Sequence, residues 1–173
     1  TPTTPVTPVT PPVLVDGVQT TTTPTTLPNG EAGSSVTVGL VTDSRQDDTG
    51  TANTADINLV GSGQSAPLSA KLPVGYGLTA LGGAVKTAGS STETLKAAID
   101  AVTASTDEAH QNVNGQNFLD KLSADAALLV QTITPVTSTT APTQALQLIG
   151  SASSTQQTAL VIDTRQMDGK GSL

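Results

Sequence analysis

The 173-residue chain has no cysteine and no tryptophan, and it carries one tyrosine, one phenylalanine, one methionine and one histidine. Without cysteine there is no disulfide framework, no thiolate nucleophile and no thiolate zinc site. A single histidine rules out any site that needs two imidazoles from one chain. Two aromatic rings, Tyr76 and Phe118, are too few for the platforms on which sugars or bases stack. Charge is scarce too, at 12% of residues, with a net charge of -7 and a pI near 4.3. The seven basic residues, Arg45, Lys71, Lys86, Lys96, Lys121, Arg165 and Lys170, are scattered and form no patch. Nucleic acid and anionic membrane surfaces are therefore not expected partners. No apolar run approaches the roughly 18 to 20 residues of a membrane-spanning helix, so no membrane insertion of the mature chain is expected. No Asn-x-Ser/Thr sequon occurs, so N-glycosylation is not expected, while the Thr-rich segments offer hydroxyls that could carry O-linked sugar.

Hydroxyl groups are abundant: 31 threonines and 15 serines make up more than a quarter of the chain. They are unevenly distributed. Residues 1–28 hold seven of the eleven prolines among threonines and valines. Such a tract cannot bury enough surface to fold alone and favours extended backbone. It reads as an arm over 1–33, held against its own domain or a neighbouring copy through Val6, Val9, Val13, Leu14 and Val15, with Asp16-Gly17 as a tight turn. The chain starts at Thr1 without a methionine, which reads as a product of export and processing or as a piece of something longer.

The rest, 34–173, reads as one α+β domain. Alternating Val36, Val38 and Leu40, then Ile57 and Leu59, predict a hairpin over 34–62, and a similar pattern predicts a second over 144–167. Between them, 68–134 reads as an insert of two to three helices. Leu78, Leu81 and Val85 have helical spacing weakened by Gly82-Gly83, which equally suits a kinked strand. Ser90 and Glu93 form a capping-box pattern ahead of Leu95, Ala98, Ile99 and Val102. Phe118, Leu122, Ala126, Leu129 and Ile133 lie on one helical face after the Asn114-Gly115 turn signal, and Pro135 ends the run. The expected fold is a small antiparallel sheet of two similar hairpins, a helical insert and an extended Thr/Pro arm in front.

The two hairpins share more than pattern. VGLVTDSRQDDTG at 38–50 matches TALVIDTRQMDGK at 158–170, and INLVGS at 57–62 matches LQLIGS at 146–151, with the order of the two pieces reversed. The only two arginines both sit in Asp-Ser/Thr-Arg-Gln. Residues two apart share a strand face. Antiparallel pairing about Ser44 and Thr164 would thus set Asp43 opposite Arg165 and Arg45 opposite Asp163 as register-fixing ion pairs, within one chain or between copies.

Chemistry-bearing groupings are weak. His110 lies beside Asp107 and Glu108 in a polar stretch, Asp47-Asp48 and Asp168-Gly169 lack the spacing of a calcium loop, and Gly75-x-Gly77 is too short for a phosphate loop. No catalytic residue, metal or cofactor is expected, and the chain is not expected to be an enzyme.

The Thr/Pro tract of 1–28 resembles that of bacterial exported surface and extracellular-fibre proteins, in which it follows the processing site. The resemblance is compositional and carries no functional residues. It implies an extracellular or cell-surface location. Together with the missing catalytic groups, it points to a structural subunit of a filament or matrix whose partners are copies of itself, joined by strand addition of the arm or of sheet edges. The alternative expectation is an adhesin or ligand-binding module on a stalk.

Overall fold

The computed structural model of the chain describes residues 11–46, 53–102, 115–151, 155–167 and 173. Val13–Val15 (β1) turns back through Asp16-Gly17 into Val18–Thr26 (β2), which is followed by Ala32–Val38 (β3) and, after a long connection, Thr54–Val60 (β4). Leu68–Pro73 (β5), Tyr76–Gly82 (β6) and the short Lys86–Thr87 (β7) precede the helix Thr92–Val102 (α1) and the single turn Gln116–Leu119 (α2). Ala127–Thr137 (β8), Gln147–Gly150 (β9) and Gln156–Ile162 (β10) follow.

The strands form two sheets. The larger has the order β1-β2-β3-β6-β8-β10, with β7 continuing beside β8 where β6 ends, and the smaller has the order β4-β5-β9. All pairings are antiparallel except β8 with β10. Two hydrophobic clusters hold the layers. On one face of the larger sheet, Leu129 and Ile133 of β8 meet Leu78 and Tyr76 and the small-sheet residues Ile57, Leu68 and Leu72, all essentially buried. On the other face, the alternate residues Leu128 and Val130 pack with Leu95 and Ala98 of α1. The order of layers is therefore small sheet, large sheet, helix.

This architecture overturns the α+β expectation of two hairpins around a two- to three-helix insert. Among the described residues α1 is the only helix of seven or more residues, and more of 68–134 lies in strands than in helices. Of the expected helices α1 is present, the strand alternative for 78–85 matches β6, and the expected last helix is reduced to the single turn α2. The stretch 117–133 misleads because a spacing of four, as between Leu129 and Ile133, brings residues to one side in a helix and also in a strand. Burial on both faces, together with Val130, Thr132, Ile133, Thr134 and Val136, settles β8 as a central strand. Neither predicted hairpin forms. β3 and β4 lie in different sheets, as do β9 and β10, so each pair is an arch whose strands face each other across the core rather than pairing edge to edge. The expected boundary at residue 33 falls inside β3. From Val13 onward the Thr/Pro arm is part of the larger sheet, where its β-branched threonines make β2.

The Asp16-Gly17 turn was anticipated and is present. Both residues have positive φ, 47° and 71°, as a two-residue type I′ hairpin requires. Glycine is needed here for space as well, since a Cβ at Gly17 would run into the Gln46 carbonyl.

The first turn of α1 is tied to the sheet by a polar cluster. Lys86 Nζ donates to Glu31 Oε1 at 2.5 Å, the Thr94 hydroxyl donates to Glu31 Oε2 at 3.1 Å, and Asn29 Nδ2 donates to the Thr94 hydroxyl at 3.1 Å. The Lys86 hydrogen bond first, then those of Asn29 and Thr94, bring the Glu31 carboxyl down from 4.5 to about 2. A carboxyl whose pKa is lower in the folded state adds stability that is complete above its unfolded value and disappears as pH falls through the folded one. Thermal unfolding followed from about pH 5 down to about pH 2 is expected to show a midpoint that falls less steeply in Glu31→Gln than in the wild type.

Candidate functional site at an open strand edge

The larger sheet ends in two unlike edges, and main-chain hydrogen bonding shows which groups each presents. At one end, Asp163 N–H donates to Ile133 O at 2.8 Å, so Asp163 points toward β8. Strand groups alternate, and Gln156, Thr158, Leu160 and Ile162 therefore turn their N–H and C=O away from β8. No strand among the described residues pairs with that outer side. β10 also has none of the features that usually blunt an edge: QQTALVI contains no proline, no glycine and no charge.

The opposite end is protected. β1 covers only the first part of β2. Leu27 N–H donates to Glu31 O and Gly39 N–H donates to Gln19 O, so the odd-numbered residues of β2 face β3 and Thr22, Pro24 and Thr26 face outward. Pro24 thus sits where its missing N–H costs no ladder bond and interrupts the exposed row.

A groove of about 660 Å³ runs along the open edge. One wall is apolar, formed by Leu95, Ile99 and Val102 of α1 with Phe118 of α2. The other is the unbroken run Thr158–Arg165. Consecutive residues line one groove only when it runs along the edge of a strand, because a face would contribute every second residue. Two polar atoms of the same strand, Gln156 Nε2 and Thr158 Oγ1, are buried without a hydrogen-bond partner among the described residues. The site therefore offers main-chain donors and acceptors beside an apolar wall, the chemistry that receives an extended segment.

Other concavities carry less. A second depression of about 880 Å³ lies over the smaller sheet, where Lys71 Nζ is 3.7 Å from Asp56 Oδ1. Among the described residues no three His, Cys, Asp or Glu side chains come close enough to hold a metal, and no helix is long and apolar enough to cross a membrane.

The expected contact residues separate. Val13, Leu14 and Val15 form β1, with Val13 56% and Leu14 74% exposed. Asp43 is exposed in the loop after β3. The cross-strand pairing of the two Asp-x-Arg motifs within the chain is not made. The Arg45 side chain is only 4% exposed and bonds the Asp16 side chain, itself 2% exposed: Nη1 lies 3.0 Å from Oδ1 and 2.9 Å from the Asp16 carbonyl, and Nη2 donates to Thr54 O at 2.6 Å. Asp16 Oδ2 also accepts the Asp56 N–H at 2.9 Å. This cluster ties the β1–β2 turn to the start of β4, and so the larger sheet to the smaller. Sequence reasoning missed Asp16 as its partner, though an aspartate at a turn with positive φ was there to find. Arg165 instead chelates its own neighbour, with Nε 2.8 Å from Asp163 Oδ1 and Nη2 2.6 Å from Oδ2. That pair holds the Asp163 carboxyl below its usual range and raises the Arg165 guanidinium. Val6, Val9, His110, Asp107, Glu108, the Asp47-Asp48 pair and Asp168-Gly169 lie outside the described residues.

The chain matches no known family model, no curated protein and no solved structure.

The look-alike motifs should respond oppositely to mutation. Arg45→Met takes the guanidinium away from the buried Asp16 carboxylate and is expected to lower unfolding stability by about 3–5 kcal/mol. Arg165→Met, at the surface, is expected to leave the denaturant midpoint essentially unchanged. Chemical denaturation of both variants alongside the wild type measures the difference.

Proposed function

We propose that this chain is a structural subunit of an extracellular filament or matrix, and that its copies join by strand addition at the open edge of β10. The observation that carries this reading is the edge itself: four residues with outward N–H and C=O, in a neutral strand without proline, beside an apolar groove. A stable monomer usually blunts such an edge, because unpaired strands recruit other chains. The same sheet shows protection in use at its other end, where Pro24 interrupts the part of β2 that β1 leaves uncovered. The contrast supports reading β10 as an edge kept open for a partner. The low charge and the lack of thiols suit an oxidising exterior. Abundant β-branched hydroxyl side chains suit extended, strand-rich assembly.

The stalked-adhesin alternative has less to support it, because the part of the Thr/Pro tract from Val13 onward is sheet.

Ile162→Pro removes an outward-facing N–H and no bond to β8. Ile162 is 40% exposed, so the loss of buried surface is modest. In sedimentation velocity the wild type is expected to form species heavier than the monomer, increasing with concentration, while Ile162→Pro remains monomeric with unchanged circular dichroism. A wild type that stays monomeric over the whole range would overturn the proposal.

A further inference from the structure

Two features of the larger sheet have no strand partner among the described residues: the outer side of β10 with its groove and, at the opposite edge, the outer side of the exposed apolar strand β1. We infer that β1 of one copy fits the β10 groove of the next, so that copies join head to tail through one continuous sheet. This inference rests on the self-assembly reading above and specifies its geometry.

Strand direction fits. Four antiparallel steps, β1 to β2, β3, β6 and β8, bring β8 back to the direction of β1, and β10 runs parallel to β8. In a head-to-tail repeat the incoming β1 therefore lies parallel to β10. The main-chain groups fit as well. Gln19 uses its carbonyl on Gly39, so the facing pair Leu14 and Gln19 is not hydrogen-bonded, and Leu14 turns its N–H and C=O out of the sheet. Leu14 N–H can then donate to Leu160 O, Ile162 N–H to Leu14 O, and Leu160 N–H to the carbonyl of Pro12.

The faces agree independently. Val15 packs toward the core between the two sheets, so its neighbour Leu14 points to the side that carries α1. The parallel ladder places Leu14 beside Val161, whose side chain lies in the helix-side cluster. Leu14 thus enters the groove against Ile99, Val102 and Phe118. Charge does not oppose the fit, since β1 is neutral and the charges at the end of the groove, Asp163 and Arg165, neutralise each other. A contact between two different patches does not close on itself, so it propagates as a filament.

The test mixes two variants. Leu14→Asp spoils the donor strand and leaves β10 intact, whereas Ile162→Pro spoils the acceptor edge and leaves β1 intact. Each alone is expected to be monomeric in analytical ultracentrifugation, and a 1:1 mixture is expected to double the mass by forming one heterodimer. If Ile162→Pro does not fold, Val102→Asp in the groove wall replaces it in the same mixture. Leu14→Asp that still dimerises or polymerises alone, as a symmetric β10–β10 contact predicts, overturns the inference, as does a mixture that stays monomeric. If the wild type itself remains monomeric, the self-assembly reading falls and this geometry with it. Wild-type assembly with either overturning result removes only the geometry.

Discussion

The larger sheet must bury both its faces with almost no aromatic side chains, and β8 is where that constraint is met. Its residues alternate between two cores, Leu129 and Ile133 toward the small sheet and Leu128 and Val130 toward α1. Aliphatic side chains of this size fill a layer only when the backbones on either side come close. Within the sheet, Gly82 makes room for β8: a Cβ there would collide with the side-chain amide of Gln131 on the neighbouring strand. Each buried leucine or isoleucine of such a strand is worth about 2–5 kcal/mol against alanine. Losing β8 would therefore separate all three layers at once.

The edges follow from this core. Of the larger sheet, β8 is covered on both faces, and the two end strands differ in chemistry. Pro24 interrupts the β2 row beyond the short β1, while β10 keeps a complete row of outward main-chain groups. The buried Asp16–Arg45 pair matters at this level too. It pins the turn that presents β1, so Leu14 is displayed on a rigid hairpin rather than on a loose tail. At the other end, the bonds of Glu31 with Lys86 and Thr94 fix the first turn of α1 and thereby the wall of the groove.

Several of these elements were legible in the residues alone. Asp-Gly between two Val-rich runs announced its own turn, because that turn's φ values suit those residues. The repeat of Leu95, Ala98, Ile99 and Val102 announced α1. The two arches were not legible as arches. A hairpin and an arch both alternate apolar residues, and the difference is whether the second strand continues the first sheet or crosses the core to another. Local pattern does not contain that choice. The motif match between 38–50 and 158–170 likewise carried no information on partners. Arg45 is drawn inward by Asp16, 29 positions earlier in the chain, whereas Arg165 has only Asp163.

Composition and local pattern by themselves determined an acidic chain without thiols or clustered bases, a β-rich use of threonine and valine, one amphipathic helix and one tight turn. These depend on backbone preference and on neighbours within a few residues. Tertiary structure alone decided that the Thr/Pro tract from Val13 onward joins the sheet, that 127–137 is a strand, and that among the described residues β10 is left as an open edge beside α1. Each of those outcomes depends on which distant segment supplies the hydrogen bonds and the apolar cover, and such pairings exist only once the layers have closed.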